Sequence, residues 1–182
     1  MAEKQITVDP TVSTSESMYV PENGDLSPAY APYAGTMPPA TERGFLTGGF
    51  AVPKDLTRAD YRASFHKLLD LTAALHRAHV AIVAGTDGTG LEVVRELELY
   101  VEAGLTPAKA LQTATISPAR LVNVAASTGS ITVGKKADLV LVDGDPSNRI
   151  GDQRHTVWVL SEGRLMNADE LRAAAGFTGP PR

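Results

Sequence analysis

The stretch AIVAGTDGTG, residues 81–90, is the feature that most constrains the fold of this chain. Its first four residues are continuously apolar rather than alternating, which is typical of a strand buried on both faces of a parallel sheet. Asp87 then follows the carboxyl end of that strand. Ligand-binding side chains gather at this end of the strands in α/β barrels and open α/β sheets. An ordinary turn would use the same residues, because Asp and Gly also favour turns for local reasons.

The segments before this stretch predict a βαβ unit. Residues 5–8 are β-prone and run directly into a loop. Thr57 is a predicted N-cap, with Asp60 in the first turn, of a helix that extends to about Arg77. A strand, a helix and a second strand in this order form a crossover, so the two strands are expected to be parallel.

Residues 10–53 separate the first predicted strand from that helix. They are rich in Pro, Ser, Thr, Gly and Tyr and show no sustained periodicity. Loops of this length in a compact domain are usually active-site covers or disordered segments. The aromatic content exceeds what a solvated linker normally carries, which favours a partly ordered loop on the substrate side.

Three helices are predicted after the glycine-rich stretch. The first covers about residues 91–103, and Glu92 is expected to face solvent at its start. Its predicted inward side chains are Val94, Leu97 and Val101, and its predicted outward side chains are Arg95, Glu98 and Glu102. The second begins at Thr106 and Pro107, and a short third begins at Ser117 and Pro118.

The remainder of the chain changes character. Residues 131–133, 139–142 and 157–160 are β-prone runs bounded by turn signals, and they predict a small antiparallel sheet. A terminal helix is predicted over about residues 168–175.

Composition limits the possible partners and locations. The net charge is −4, from 17 basic and 21 acidic residues, and no basic cluster occurs. This argues against nucleic acid or an anionic membrane as the main partner. The absence of cysteine excludes disulfides and thiolate metal sites. No apolar run has the length of a signal peptide core or a membrane span, so a cytoplasmic location is expected.

Three motifs in a fixed order carry a resemblance to a known family. They are GTDG at residues 85–88, RELELYVEAGLTPAKALQTATISPARL at residues 95–121 and GSITVGKKADLVLVDGDP at residues 129–146. Together they resemble the carboxyl-terminal part of the amidohydrolase superfamily, on its imidazolonepropionase-like and prolidase-like branch. The resemblance implies an α/β fold. Residues 1–126 would form the last two βα units of a TIM-type barrel, including the long loop 10–53. Residues 127–166 would form part of a small β-sandwich domain, and residues 167–182 would form a terminal helix and tail.

The resemblance also implies a metal-dependent hydrolase that acts on carbon–nitrogen bonds of small molecules. Asp87 matches the aspartate at the end of the eighth barrel strand, and is therefore the candidate catalytic residue and the candidate metal ligand. In the family this aspartate contacts a divalent metal, for which zinc is expected here, and exchanges a proton with the metal-bound water. A metal lowers the pKa of its water to about 7, and a nearby carboxylate can pass the remaining proton to the leaving amine.

The family's other metal ligands have no counterpart in this chain. Its four histidines are His66, His76, His79 and His155. His76 and His79 precede the strand that Asp87 follows, and the five or so extended residues between them span roughly 16 Å. A metal bond is about 2 Å long, so a shared site within one chain is not expected. The chain is therefore expected either to need an upstream segment or an oligomeric partner for activity, or to be a non-catalytic αβ assembly module.

Overall fold

The computed structural model describes residue 4 and residues 6–182, which form a mixed α/β structure. The strands are β1 (Thr7–Val8), β2 (Ala81–Ile82), β3 (Leu139–Val142), β4 (Thr156–Ser161) and β5 (Arg164–Asn167). The α-helices are α1 (Val12–Tyr19), α2 (Pro39–Phe45), α3 (Arg58–Arg77), α4 (Val93–Glu102), α5 (Pro107–Thr113), α6 (Ile116–Leu121) and α7 (Ala168–Ala174). Short 3₁₀ turns cover Ala31–Tyr33 and Ile150–His155. No helix within the described residues is long and apolar enough to cross a membrane.

Strands β1 and β2 form a two-stranded parallel sheet, which confirms the predicted crossover. Thr7 pairs with Ala81 and Val8 pairs with Ile82, while Gln5 of the predicted first strand lies outside the described residues. Ile82 is buried, but Ala81 is exposed. The prediction of burial on both faces is therefore wrong at Ala81. Only β1 pairs with β2 within residues 6–182, so this part of the sheet has an uncovered edge.

Helix α3 has the predicted bounds because its start is strongly specified. Thr57 and Asp60 form a reciprocal capping box, in which each side chain accepts a hydrogen bond from the other residue's backbone N–H. Phe65 and Thr72 on its inner face are buried. Helix α3 thereby packs against the core, whose buried members are Val12, Phe65, Ile82, Leu97, Leu99, Tyr100, Leu105, Ala110 and Ile150.

The long segment between β1 and α3 is more ordered than a loop. Residues 10–53 contain both α1 and α2, although neither helix was predicted. The sequence of α1, VSTSESMY, carries little amphipathic pattern, so its helical conformation depends on bonds to the rest of the protein.

The carboxyl-terminal sheet has the antiparallel order β3-β4-β5, and two of its predicted strands are present. The strand predicted at residues 131–133 is absent: Ile131 and Val133 are 89% and 103% exposed, and no described strand lies beside them. Strand β5 was missed. It pairs with β4 across Glu162 and Gly163, which both have positive φ, as a tight hairpin turn requires.

Helices α5 and α6 follow α4. Thr106 caps α5 through its side chain as predicted, whereas α6 begins at Ile116, one residue before the predicted Ser117.

Candidate active site

Asp87 lies in the loop after β2, on the wall of a cleft of about 470 Å³. Its side chain is exposed, and its φ is +50°. This left-handed backbone conformation is uncommon outside glycine, although Asp and Asn adopt it more readily than other residues. The loop therefore presents the carboxylate to the cleft from a constrained backbone.

Asp9 is a second carboxylate at the same end of the parallel sheet, directly after β1. A Cβ atom on Gly85 would lie 2.8 Å from Asp9 Cγ, so the Asp9 side chain lies directly against the loop that carries Asp87. Sequence reasoning missed Asp9, although the rule that selected Asp87 applies to it as well. Both residues follow the carboxyl end of a parallel strand.

Glu92 contradicts the prediction that it faces solvent, because it is only 2% exposed. Its carboxylate accepts hydrogen bonds from the backbone N–H of Thr89 at 3.2 Å, the Thr89 hydroxyl at 3.1 Å and the Tyr30 hydroxyl. Burial raises the pKa of Glu92, but these hydrogen bonds outweigh it and leave the pKa below its ordinary value. Glu92 is therefore an ionised group buried beside the loop that carries Asp87.

Glu96 of helix α4 connects that helix to the start of helix α1. The Glu96 carboxylate is fully buried and accepts hydrogen bonds from the backbone N–H groups of Val12 at 2.8 Å and Ser13 at 2.6 Å. These are among the first N–H groups of α1, which a helix leaves without internal partners. In addition, the Thr14 hydroxyl donates to the carbonyl oxygen of Thr86, next to Asp87.

Arg95 and Glu98 were predicted to face outward, but both side chains are only partly exposed and are engaged in ion pairs. Arg95 donates to both carboxylate oxygens of Glu16, at 2.7 and 2.8 Å, and to Glu102 at 2.8 Å. Glu98 accepts hydrogen bonds from both terminal nitrogens of Arg154. These ion pairs connect α4 to α1 on one side and to Ile150–His155 on the other.

The opposite wall of the cleft comes from the segment 10–53. This wall is formed by Thr14, Ser17, Met18, Tyr30 and residues 47–51. Phe50 is 51% exposed. The cleft thus places carboxylates on one wall and apolar and hydroxyl groups on the other.

The histidines do not join Asp87. His76 and His79 line a different cleft with Thr7 and Lys109, while His66 and His155 are exposed. Within residue 4 and residues 6–182, no three His, Asp or Glu side chains are close enough together to hold a metal ion. The described residues therefore do not by themselves fit a catalytic metal.

Known proteins match this chain over much of its length. The sequence pattern of the amidohydrolase family matches residues 49–168. An imidazolonepropionase from Geobacillus sp. (strain WCH70) is 33% identical over 107 residues, which cover 57% of this chain and 25% of the relative. This chain therefore matches only about a quarter of the length of that curated relative.

Solved structures also match most of this chain, and this chain again covers only about a third of their length. The crystal structure of a Xaa-Pro dipeptidase with bound methionine in the active site has a TM-score of 0.65 at 24% identity, and covers 92% of this chain and 36% of its own. A putative prolidase from Bifidobacterium longum has a TM-score of 0.57 at 26% identity, and covers 88% of this chain and 35% of its own. The likeness to the dipeptidase concerns the fold alone.

Proposed function

This chain belongs to the amidohydrolase family, and we propose that it is the carboxyl-terminal portion of a metal-dependent enzyme that hydrolyses carbon–nitrogen bonds. The substrate class is a small molecule with a non-peptide amide, a lactam or a dipeptide-like bond. The names of the imidazolonepropionase and prolidase relatives support this class. The proposal includes a cytoplasmic location, which the lack of cysteine permits.

The proposed architecture follows from the same relatives. Residues 1–126 supply two βα units of a TIM-type barrel, residues 127–166 part of a β-sandwich, and residues 167–182 a terminal helix and tail. Two features support this assignment. The parallel pair β1 and β2 is connected through a helix, as in a barrel, and the sheet β3-β4-β5 is separate from that pair.

The observation that carries the proposal is the position of Asp87 at the carboxyl end of the parallel sheet, beside a cleft. We assign to it the role of metal contact and proton acceptor in the complete enzyme. Zinc is the proposed metal, with its other ligands supplied from outside the described residues. What this chain itself contributes is a carboxylate that takes a proton and delivers it to the leaving amine.

A direct test uses the assembled enzyme, meaning this chain produced together with the sequence encoded immediately upstream of it. Asp87→Asn should lower kcat by about 100-fold or more, the size of effect usual for loss of an acid–base group, with a smaller change in KM. Suitable substrates are Xaa-Pro dipeptides and imidazolone-type lactams. Glu170→Gln, on the exposed side of α7, is the control and should leave kcat unchanged. Equal kcat values for the two variants would show that Asp87 is only a turn residue.

A second candidate function is a non-catalytic αβ assembly module. It is favoured by the lack of three convergent metal-binding side chains among the described residues and by the uncovered edge of β2. An assembled protein that is inactive on both substrate classes, yet stable as a complex, would support this alternative.

A further inference from the structure

The loop that carries Asp87 is attached to the rest of the protein on both sides of that residue. On the amino-terminal side, the carbonyl oxygen of Thr86 accepts the hydroxyl of Thr14. On the carboxyl-terminal side, the Glu92 carboxylate accepts the backbone N–H and the hydroxyl of Thr89. Asp87 is exposed and lies between two residues, Thr86 and Thr89, that are hydrogen-bonded to other segments of the chain.

Glu92 also connects this loop to the opposite wall of the cleft. Its third hydrogen bond comes from the hydroxyl of Tyr30, which lies 62 residues away in the sequence. The Tyr30 ring stacks on Phe45, with ring centroids 3.7 Å apart and planes inclined by 8°. The tyrosine is therefore held in place by the long segment before it meets the carboxylate.

The space between Glu92 and the loop is filled. A Cβ atom on Gly88 would lie 2.7 Å from Glu92 Cδ, closer than atoms of two residues normally approach. Glu92 is 2% exposed, whereas Asp87 is exposed to the cleft. Glu92 also lines this cleft, but its carboxylate already accepts three hydrogen bonds, so it is placed to support the loop.

We infer that Glu92 is a positioning residue for Asp87: together with Tyr30 it fixes the backbone of residues 88–89 and so the place of the Asp87 carboxylate in the cleft. The inference rests on the proposed role of Asp87. Three donors on one buried carboxylate provide the rigidity, because hydrogen bonds to a charged group are stronger than neutral ones. A reactive carboxylate on an exposed loop needs such support to stay within about 0.5 Å of a productive position.

The first test uses this chain alone. Amide hydrogen exchange and Cα chemical shifts of residues 86–90 are measured by NMR in the wild type, Glu92→Gln, Tyr30→Phe and the control Glu170→Gln. In Glu92→Gln we expect the amide of Thr89, which donates to Glu92, to exchange about tenfold faster, as for loss of one hydrogen bond to a charged group. Amides in the core helix α4 should be unchanged, and Glu170→Gln should match the wild type.

Conservative variants separate local positioning from general stability. Thr89→Ser keeps both donors to Glu92 and should match the wild type, whereas Thr89→Val removes the hydroxyl donor and should accelerate exchange of the amide at position 89. If Glu92→Gln fails to fold, Tyr30→Phe and Thr89→Val decide the question by the same measurement. Unchanged exchange and shifts at residues 86–90, or acceleration spread evenly over the whole chain, would overturn the inference.

The second test uses the assembled enzyme and asks whether Glu92 acts through Asp87. Glu92→Gln should lower kcat about tenfold, and the double variant with Asp87→Asn should be no slower than Asp87→Asn alone. Losses that multiply in the double variant would show an independent role for Glu92 and overturn the inference. A silent Asp87→Asn would instead overturn the proposed function, together with the catalytic meaning of the positioning, whatever the exchange result.

Discussion

Replacing Gly88 by alanine should measure how tightly Glu92 is packed against the loop that carries Asp87. The added Cβ would lie 2.7 Å from Glu92 Cδ, so the carboxylate must move away. It then loses the hydrogen bonds from Thr89 and Tyr30, each worth about 1.5–3 kcal/mol for a charged acceptor. Because the displaced carboxylate regains water, we expect the net loss to be about 2 kcal/mol, near the value for one bond.

For a chain of this size that loss lowers Tm by about 4–8 °C. Thermal unfolding followed by circular dichroism, with urea unfolding as a second method, would measure it. Gly44→Ala is the matched control, because Gly44 lies in α2 and a Cβ there meets nothing within 4 Å. In a helix this change should leave stability equal or raise it by up to about 1 kcal/mol.

The double variant of Gly88 and Glu92 tests whether the clash between these two residues causes the loss. If the clash with Glu92 is the cause, Gly88→Ala should cost almost nothing in a Glu92→Ala background, because the obstructing side chain is gone. A full penalty of about 2 kcal/mol in that background, or equal effects of Gly88→Ala and Gly44→Ala, would refute the proposed packing.

Three further predictions concern pH, metal and assembly. Burial raises the pKa of Glu98, but hydrogen bonds from Arg154 and Arg95 hold it below its ordinary value. The stability that this carboxylate contributes is therefore present above about pH 4.3 and is lost as the pH falls through the lower folded-state pKa. Glu98→Gln should consequently flatten the dependence of Tm on pH in the acid range. Parallel curves of Tm against pH for the wild type and the variant would contradict this. The chain produced alone should retain less than about 0.1 zinc ion per molecule after dialysis, because no three of its described side chains converge on a metal site. Elemental analysis that finds one tightly held zinc ion per chain would contradict this expectation. The uncovered edge of β2 should cause self-association of the chain alone, whereas light scattering from a monodisperse monomer with a cooperative melt would count against the fragment interpretation.

The parts of the fold that sequence predicted are those with local signals. The bounds of α3 follow from Thr57 and Asp60, which lie three residues apart and cap the helix together. The parallel pairing of β1 and β2 follows from the helix between them. Strand β5 has no such signal of its own, since it forms because a two-residue turn returns the chain onto β4.

The candidate site could be predicted only in part, for a physical reason. Asp87 is marked by its position after an apolar strand, and Asp9 could have been found by the same rule. Glu92 and Glu96 have the sequence pattern of exposed helix residues. Their burial depends on donors from Tyr30 and from Val12 and Ser13, at sequence separations of 62 to 84 residues. No periodicity in one segment specifies which distant N–H or hydroxyl will satisfy a carboxylate.

The left-handed backbone at Asp87 decides which substitutions can be interpreted at this position. With φ at +50°, an alanine there would add a conformational cost of about 1–2 kcal/mol that has nothing to do with proton transfer. A lowered rate in Asp87→Ala would therefore combine a distorted loop with a missing carboxylate. Asparagine adopts this conformation almost as readily as aspartate and preserves the shape of the side chain. Asp87→Asn is consequently the one replacement that separates the chemistry of the group from the geometry of the loop that holds it.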